Sequence, residues 1–216
     1  MSTPEQQHIT ELGNPRKPEG DYGRQMLTRM NDSHAAVTEW GLSFLGLRAD
    51  HRVLDIGCGG GAALHRMAET VTAGHLTGAD YSPVSVETAR AFNAAAIAEN
   101  RMEIIEASVE ALPFADCSFD RIITVESFYF WPSPAENLAE VKRVLKPEGR
   151  FLLIADIYDN GALPESDREN IRKYELFNPT PEQFRKLFEA AGFSEIRMHF
   201  SQNGKPWICV EARNEK

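Results

Sequence analysis

The sequence predicts an α/β fold with a doubly wound, mostly parallel sheet that is covered by helices on both faces. Short apolar strands alternate with helical segments from residue 52 to residue 157, which is typical of parallel βαβ units. Two further strands follow and are joined by only five residues, 201–205. Five residues are too few for a crossover connection, so these strands must pair antiparallel. The prediction is a Rossmann-like, seven-stranded sheet with one antiparallel strand near the C-terminus.

The first 50 residues (1–50) are expected to form an N-terminal arm and helices that act as a lid over the active site. Residues 2–23 are polar and rich in proline and glycine, which predicts an irregular arm. From Tyr22 onward apolar residues recur at helical spacing, which predicts two helices with a break at residues 31–33. Residues 51–216 are expected to form the ligand-binding domain, and the chain as a whole to be a single domain.

The alternating region and the C-terminal third are predicted element by element from these apolar patterns. Strands are expected at residues 52–56, 75–79, 102–106, 119–125, 150–157, 193–200 and 206–213. Helices are expected at residues 62–72, 83–99 and 134–145, within a loop-and-helix segment at 159–177, and from Thr180 onward. The 159–177 segment interrupts the alternation and is the best candidate for a substrate-covering insertion.

Composition argues against several classes of protein. A formal net charge of −9 disfavours a nucleic-acid partner, because such binding depends on clustered lysine and arginine. The three cysteines, Cys58, Cys117 and Cys209, are too scattered for a C-x-x-C metal site, so no metal is expected, and they fit a reducing compartment. With no leader sequence and no membrane-spanning run, a cytoplasmic location is expected. The oligomeric state, monomer or homodimer, is left open.

A glycine loop is the strongest local feature. The apolar strand at residues 53–56 runs into Gly57-Cys58-Gly59-Gly60-Gly61 and then into a helix, so a ligand can approach the backbone beside the helix N-terminus. Asp80 follows the next strand, where a carboxylate can accept hydrogen bonds from both hydroxyls of a ribose. Together these features predict a ligand that contains adenosine.

Two adenosine cofactors satisfy this pattern, a nicotinamide dinucleotide and S-adenosylmethionine. Asp55 favours the second, because a carboxylate two residues before Gly57 would repel a pyrophosphate but could bind a cationic amino-acid sulfonium ligand. The antiparallel strand pair also differs from the all-parallel sheet of a dehydrogenase. S-adenosylmethionine is therefore the preferred ligand, with a nicotinamide-dependent oxidoreductase as the remaining alternative.

Four strings also resemble a known family, the class I S-adenosylmethionine-dependent methyltransferases, and particularly the small-molecule branch that includes the ubiquinone and menaquinone C-methyltransferases. The strings are VLDIGCGGG at residues 53–61, LTGADYS at 76–82, ALPFADCSFDRI at 111–122 and EVKRVLKPEGRF at 140–151. Together they are specific, and by motif the resemblance covers about residues 52–151. It implies a transferase that methylates a small molecule and releases S-adenosyl-L-homocysteine.

The resemblance also implies roles for individual residues. Asp55, Gly57 and Gly59 would hold the methionine end of the cofactor, Asp80 would hold the ribose and Tyr81 would pack on the adenine. Family members often place an aspartate and then a small residue at the adenine contact. Here those positions are Ser108 and Val109, so the carboxylate is missing, and a serine hydroxyl would accept the hydrogen bond more weakly.

The methyl acceptor is expected beside residues 124–132, which end the fourth strand at the point where ligands bind in open α/β sheets. Trp131 and Tyr22 are candidates for the substrate pocket. The sulfonium methyl is already electrophilic, so in-line alignment and exclusion of water can supply most of the acceleration. If the acceptor must lose a proton, Glu126, His34 and Tyr129 are the candidate bases.

A second functional class stays open beside the enzyme, namely a protein that binds S-adenosylmethionine without catalysis. Acceptors in nucleic acids are disfavoured by the absence of an Asn-Pro-Pro-Tyr or Asp-Pro-Pro-Tyr string after the fourth strand. A Pro-Cys nucleophile for methylation of pyrimidine carbon is also absent. A small-molecule acceptor is therefore expected.

Overall fold

A computed structural model describes residues 3–215, and the outer limits of the expected segments at residues 1, 2 and 216 lie outside that range. Seven strands form one sheet in the spatial order β3-β2-β1-β4-β5-β7-β6. Strands β1 to β5 pair in parallel, and β7 is antiparallel to both β5 and β6. The predicted fold class is confirmed, and the single reversed strand is β7. The strands are β1 (Arg52–Ile56), β2 (His75–Asp80), β3 (Met102–Glu106), β4 (Phe119–Val125), β5 (Leu145–Ala155), β6 (Ser194–Phe200) and β7 (Ile208–Arg213).

Nine α-helices and one short 3-10 helix, Phe128–Phe130, accompany the sheet within the described residues. None of them is long and apolar enough to cross a bilayer. The α-helices are α1 (Pro4–Gly13), α2 (Gly20–Ser33), α3 (Ala35–Leu42), α4 (Ala62–Met67), α5 (Pro83–Phe92), α6 (Ala94–Ala98), α7 (Pro134–Val144), α8 (Glu165–Tyr174) and α9 (Pro181–Ala190).

The prediction of an irregular arm at residues 2–23 is wrong for most of its length. Pro4 begins α1, where its fixed φ angle favours the first turn and its missing N–H costs nothing. Thr3 and Gln6 form a capping box in which each side chain accepts a hydrogen bond from the other residue's backbone N–H. Irregular backbone remains only at residues 14–19, between α1 and α2.

Several predicted boundaries also differ. The helix expected at 83–99 breaks at Asn93, whose side-chain Nδ2 donates to the carbonyl oxygen of Gly61 at 3.1 Å. The break between α2 and α3 falls at His34 rather than at residues 31–33. The helix expected at 62–72 ends at Met67, and β5 begins five residues earlier than predicted. At Asn93 a tertiary contact accompanies the break, and local propensity does not contain such contacts.

The core has two layers, one on each face of the sheet. Aromatic side chains from α9 and β5, including Phe151, Phe184 and Phe188, fill one layer together with apolar residues of α7. Smaller aliphatic residues of α3, α4, α5 and α6 fill the other layer. Helices cover both faces of the sheet. A ligand is therefore expected at the carboxyl ends of β1, β2 and β4.

Candidate active site

A cavity of about 340 Å³ lies at the carboxyl ends of β1, β2 and β4. The strand order reverses between β1 and β4, and open α/β sheets bind ligands at that point. The volume is within the usual range for small-molecule sites. Helix α2, the glycine loop after β1 and the segment after β4 form its walls, through residues that include Leu27, Met30, Asn31, Gly57, Gly59, Gly60, Phe130 and Trp131.

The glycine loop needs its glycines for two different reasons. Gly57 and Gly59 have φ angles of +71° and +52°, a left-handed conformation that side chains disfavour. A Cβ atom at Gly57 would also lie 2.0 Å from the Ser127 hydroxyl oxygen, and one at Gly60 would lie 2.5 Å from the Asn31 side chain. The loop therefore fits closely between the segment after β4 and helix α2, with its backbone facing the cavity.

Two buried carboxyl groups face the cavity from β1 and β2. Asp55 is 1% exposed, and its Oδ1 atom has no hydrogen-bond partner within the described residues. Burial raises the pKa of Asp55 to about 8, and the negative charge of Asp80 contributes to the same shift. Asp80 accepts hydrogen bonds from the backbone N–H groups of Gly59 and Ser82, each at 2.9 Å. Burial raises the pKa of Asp80 as well.

These residues fit S-adenosylmethionine. An orphaned buried carboxyl oxygen is costly unless a donor or a cation meets it, and the amino group of the cofactor's methionine end would provide both at Asp55. The Asp80 carboxylate can accept further hydrogen bonds, because each of its oxygens has more than one lone pair. These carboxylate acceptors therefore suit a cationic ligand that contains adenosine. They do not suit a pyrophosphate.

The residues predicted to contact the adenine lie together in the cavity wall. Tyr81, Ser108 and Val109 all line it, and the Tyr81 hydroxyl donates to the backbone oxygen of Arg16. Glu110 lines the same wall, and its carboxylate accepts a hydrogen bond from the Ser108 hydroxyl at 3.0 Å. A carboxylate is thus present here, two residues after the position where the family pattern has one.

Three ionisable side chains meet at the opposite end of the cavity. His34 at the α2–α3 junction, Glu126 after β4 and Asp156 after β5 each place one potential ligand atom within 4.8 Å of the other two. Glu126 has a φ angle of +54° and is 7% exposed. Its two carboxylate oxygens accept hydrogen bonds from the Tyr129 hydroxyl, at 2.7 Å, and from the backbone N–H of Asp156.

Burial shifts the pKa values of Glu126, His34 and Tyr129. It raises the pKa of Glu126 well above its usual range, and the charge of Asp156 adds to that effect. Burial lowers the pKa of His34, although Asp156 acts in the opposite direction. Burial likewise raises the pKa of Tyr129, assisted by the charge of Glu126. The imidazole is therefore neutral near pH 7 and keeps a lone pair for a proton or another electrophile.

The structure brings together most of the side chains predicted for the site. His34, Glu126 and Trp131 line the cavity, and Trp131 donates from Nε1 to the Ser127 hydroxyl at 3.2 Å. Tyr129 lies behind Glu126 and reaches the cavity only through that hydrogen bond. Tyr22 lies outside the lining, where it is 43% exposed and its ring contacts that of His8.

The irregular segment at residues 14–19, between α1 and α2, closes one side of the cavity. The Arg16 guanidinium donates to the backbone oxygens of Phe130, Tyr174 and Glu175 at 3.2–3.3 Å. Pro18 accepts a hydrogen bond at its backbone oxygen from the Ser82 hydroxyl at 2.6 Å. The segment is thus joined to the end of α8, to the 3-10 helix that follows β4 and to the N-cap of α5.

Sequence reasoning missed several residues of the site, among them the polar residues Arg16, Asn31, Glu110 and Asp156. Glu110 was within reach, since it follows directly on the predicted Ser108-Val109 pair. Arg16, Asn31 and Asp156 are brought to the site by tertiary contacts with residues between 29 and 159 positions away. No local pattern marks such residues, because nothing in the neighbouring sequence shows what they will contact.

Comparisons with known proteins agree with this geometry. The model of a family described as "Methyltransferase domain" matches residues 54–153. The uncharacterised methyltransferase YdaC of Bacillus subtilis (strain 168) is 25% identical over 87% of this chain and 95% of its own length. A chloroplastic 2-methyl-6-phytyl-1,4-hydroquinone methyltransferase of Oryza sativa subsp. japonica is 31% identical over 68% of this chain, which spans only 42% of that relative.

The fold also matches solved structures. A SAM-dependent methyltransferase from Aquifex aeolicus superposes with a TM-score of 0.69 at 22% identity, over 90% of this chain and 98% of that one. At this identity the match shows the shared fold. It includes the seven-stranded sheet and the reversed strand that the sequence predicted.

Proposed function

Because this chain belongs to the class I S-adenosylmethionine-dependent methyltransferases, we propose that it transfers the methyl group of S-adenosyl-L-methionine to a small-molecule acceptor. The observation that supports this most directly is the unpartnered Oδ1 atom of Asp55, buried beside Asp80 and the glycine loop. A cationic ligand would satisfy that oxygen and stabilise its ionised form. A neutral donor would satisfy the oxygen but stabilise the ionised form less, and an anionic ligand would destabilise that form.

The cofactor's three parts have separate contacts in this proposal. Asp55 and the backbone of Gly57 and Gly59 bind the methionine end, and Asp80 binds the ribose hydroxyls. Tyr81 packs on the adenine beside Ser108 and Val109. The structure adds Glu110 to the proposal, because its carboxylate next to Ser108 can accept from the adenine amino group more strongly than a serine hydroxyl.

The chain's residues would contribute mainly by positioning and by excluding water. The sulfonium supplies an electrophilic methyl group when the cofactor is bound. The chain's own residues orient the acceptor for in-line attack and enclose it, while residues 1–50 act as a lid. If the acceptor must release a proton, His34 is the candidate best placed to receive it, because burial keeps its lone pair available. The other two candidates, Glu126 and Tyr129, have raised pKa values and would already hold protons.

The acceptor end of the cavity fits a compound with an apolar body and a polar group. Phe130, Trp131 and Met30 provide apolar and aromatic surface, and His34 and Glu126 provide the polar contacts. The hydroquinone acceptor named for the rice relative is of this kind. An aromatic or prenylated hydroxyl compound is therefore the first class to test.

Charge and cysteine chemistry guide the remaining proposals. A net charge of −9 makes a nucleic-acid acceptor unfavourable, and a monomer or a homodimer is expected. Cys58, Cys117 and Cys209 are all free thiols, which fits a cytoplasmic location.

Calorimetric titration of the purified protein with S-adenosylmethionine and S-adenosylhomocysteine tests the proposal. We expect both to bind, and a screen of small-molecule extract should then show a mass gain of one methylene on an acceptor. Binding without any methylated product would favour a non-catalytic binding protein. If neither ligand bound and NADH fluorescence changed on titration, the nicotinamide-dependent alternative would replace the proposal.

A further inference from the structure

We propose that His34, Glu126 and Asp156 form a binding site for one divalent first-row metal cation at the acceptor end of the cavity. The site goes beyond methyl transfer, since binding of the cation needs no cofactor. It also departs from the expectation of no metal, which considered cysteine spacing alone. The three side chains come from three separate elements and converge where His34 and Glu126 line the cavity. With the ion bound, His34 would be a ligand instead of a base.

The donor set suits such an ion. One imidazole nitrogen and two carboxylate oxygens lie within 4.8 Å of one another, a separation that a single ion can bridge. Imidazole favours zinc and iron, carboxylates favour manganese and magnesium, and a mixed set accepts several of these ions. Binding of the ion would release the proton that Glu126 otherwise holds, and the two ionised carboxylates would then balance the charge of a divalent cation.

In the described part of the chain, no lysine or arginine balances the charge of this pair of carboxyl groups. Neither Glu126 nor Asp156 forms an ion pair with a lysine or arginine in residues 3–215. Glu211 differs from them, because it also lies against a histidine, His199, at 3.0 Å, but pairs with Arg150 at 2.9 Å. Without a counter-ion, two neighbouring buried carboxyl groups avoid repulsion only when one of them keeps a proton. A bound cation would displace that proton and allow both groups to ionise.

The surroundings of Glu126 are those of an oriented ligand. The Tyr129 hydroxyl and the Asp156 backbone N–H each donate to one of its carboxylate oxygens. Hydrogen bonds of this kind hold ligating carboxylates in position while leaving a lone pair for the metal. Neither ring nitrogen of His34 has a hydrogen-bond partner within the described residues, so one of them is free to bind the ion.

Titration of the protein with Mn²⁺ alone, followed by the loss of the free-ion electron paramagnetic resonance signal, tests the site. We expect one ion per chain, with affinity reduced about 10–100-fold in His34→Gln and in Asp156→Asn. His199→Gln is the matched control, because it alters a different histidine–carboxylate pair, and it should bind like the wild type. Circular dichroism of each variant checks the fold.

A second measurement needs no variant. Electron spin echo modulation of the Mn²⁺-bound wild type should show coupling to a directly bound ¹⁴N nucleus, as His34 requires. Absence of that coupling, no binding at about 1 mM Mn²⁺ (far weaker than a specific site), or equal binding by all three variants would each overturn the proposal. Calorimetry with S-adenosylhomocysteine on the same samples separates this failure from failure of the proposed function.

Discussion

The Asp80 carboxylate accepts a hydrogen bond from the backbone N–H of Gly59 at 2.9 Å. The residue expected to bind the ribose therefore also holds the glycine loop that would face the methionine end. The two halves of the cofactor site are joined by this contact, so a change at Asp80 acts on both.

Asp80→Ala should weaken binding of S-adenosylmethionine and S-adenosylhomocysteine by about 100-fold, because two charge-assisted hydrogen bonds to the ribose would be lost. Asp80→Asn should cost less, since its amide oxygen can still accept from Gly59. Calorimetry measures both affinities, and Glu169→Ala, at an exposed position of α8, serves as the control. Unchanged affinity in Asp80→Ala with an intact fold would contradict the proposed ribose site.

Affinity for S-adenosylmethionine should rise with pH between pH 6 and 7.5. The pKa of Asp55 is raised to about 8 in the unliganded protein, so a proton must leave before the carboxylate can bind a cation. The expected rise is about tenfold per pH unit. Calorimetry at each pH measures it, and Asp55→Asn should bind weakly with little pH dependence. A pH-independent wild type would argue against contact between Asp55 and the cation.

Asp55 should also lower the stability of the unliganded protein above neutral pH. Its folded pKa of about 8 lies above the ordinary value of 3.8, so the folded state binds the extra proton. The free energy of unfolding should therefore fall as pH rises from about 4 to 8. At pH 8, Asp55→Asn should be more stable than the wild type by about 1–3 kcal/mol in urea denaturation. Equal stability at pH 5 and pH 8 would be inconsistent with this pKa.

Gly57→Ala should disrupt the loop, because the added Cβ would lie 2.0 Å from the Ser127 hydroxyl and the φ angle of +71° disfavours a side chain. We expect a loss of about 1–3 kcal/mol in stability and weaker cofactor binding. The double variant Gly57→Ala/Ser127→Gly should recover only part of the lost stability, since it removes the clash and leaves the backbone strain. Full recovery would show that strain is negligible here.

Arg16→Ala should speed the release of S-adenosylhomocysteine by about tenfold, which corresponds to about 1.4 kcal/mol. Its guanidinium holds the 14–19 segment against Phe130 and the end of α8. Stopped-flow measurement of the release rate tests this. Arg24→Ala is the control, because Arg24 forms an exposed ion pair with Glu87 of small energetic value. Equal rates in both variants would contradict a lid role for this segment.

The sheet could be predicted because its signal is local. Strands β3 and β4 begin and end where the sequence pattern places them, since each is a short apolar run bounded by polar or turn residues. Helix α1 lies outside the predicted elements, because proline-rich and glycine-rich sequence indicates irregular chain while proline is also favoured at the first position of a helix. The capping box of Thr3 and Gln6 was the signal that distinguishes the two.

The candidate site also has parts that the sequence predicts and parts that it does not predict. The glycine loop and Asp80 follow consecutive strands, so the fold alone brings them together. Asp156 reaches Glu126 only because β4 and β5 are neighbours in register, and Arg16 reaches Phe130 across 114 positions of sequence. Contacts of this kind depend on the packed structure, and a single sequence contains no local pattern for them.

Strand β7 follows β6 in the chain but lies between β5 and β6 in the sheet. Until residues 208–213 are in place, β5 therefore keeps one edge unpaired and β6 lacks its partner. An unpaired apolar edge is a template for association with other chains. We therefore expect a chain truncated before residue 208 to aggregate instead of forming a smaller stable sheet.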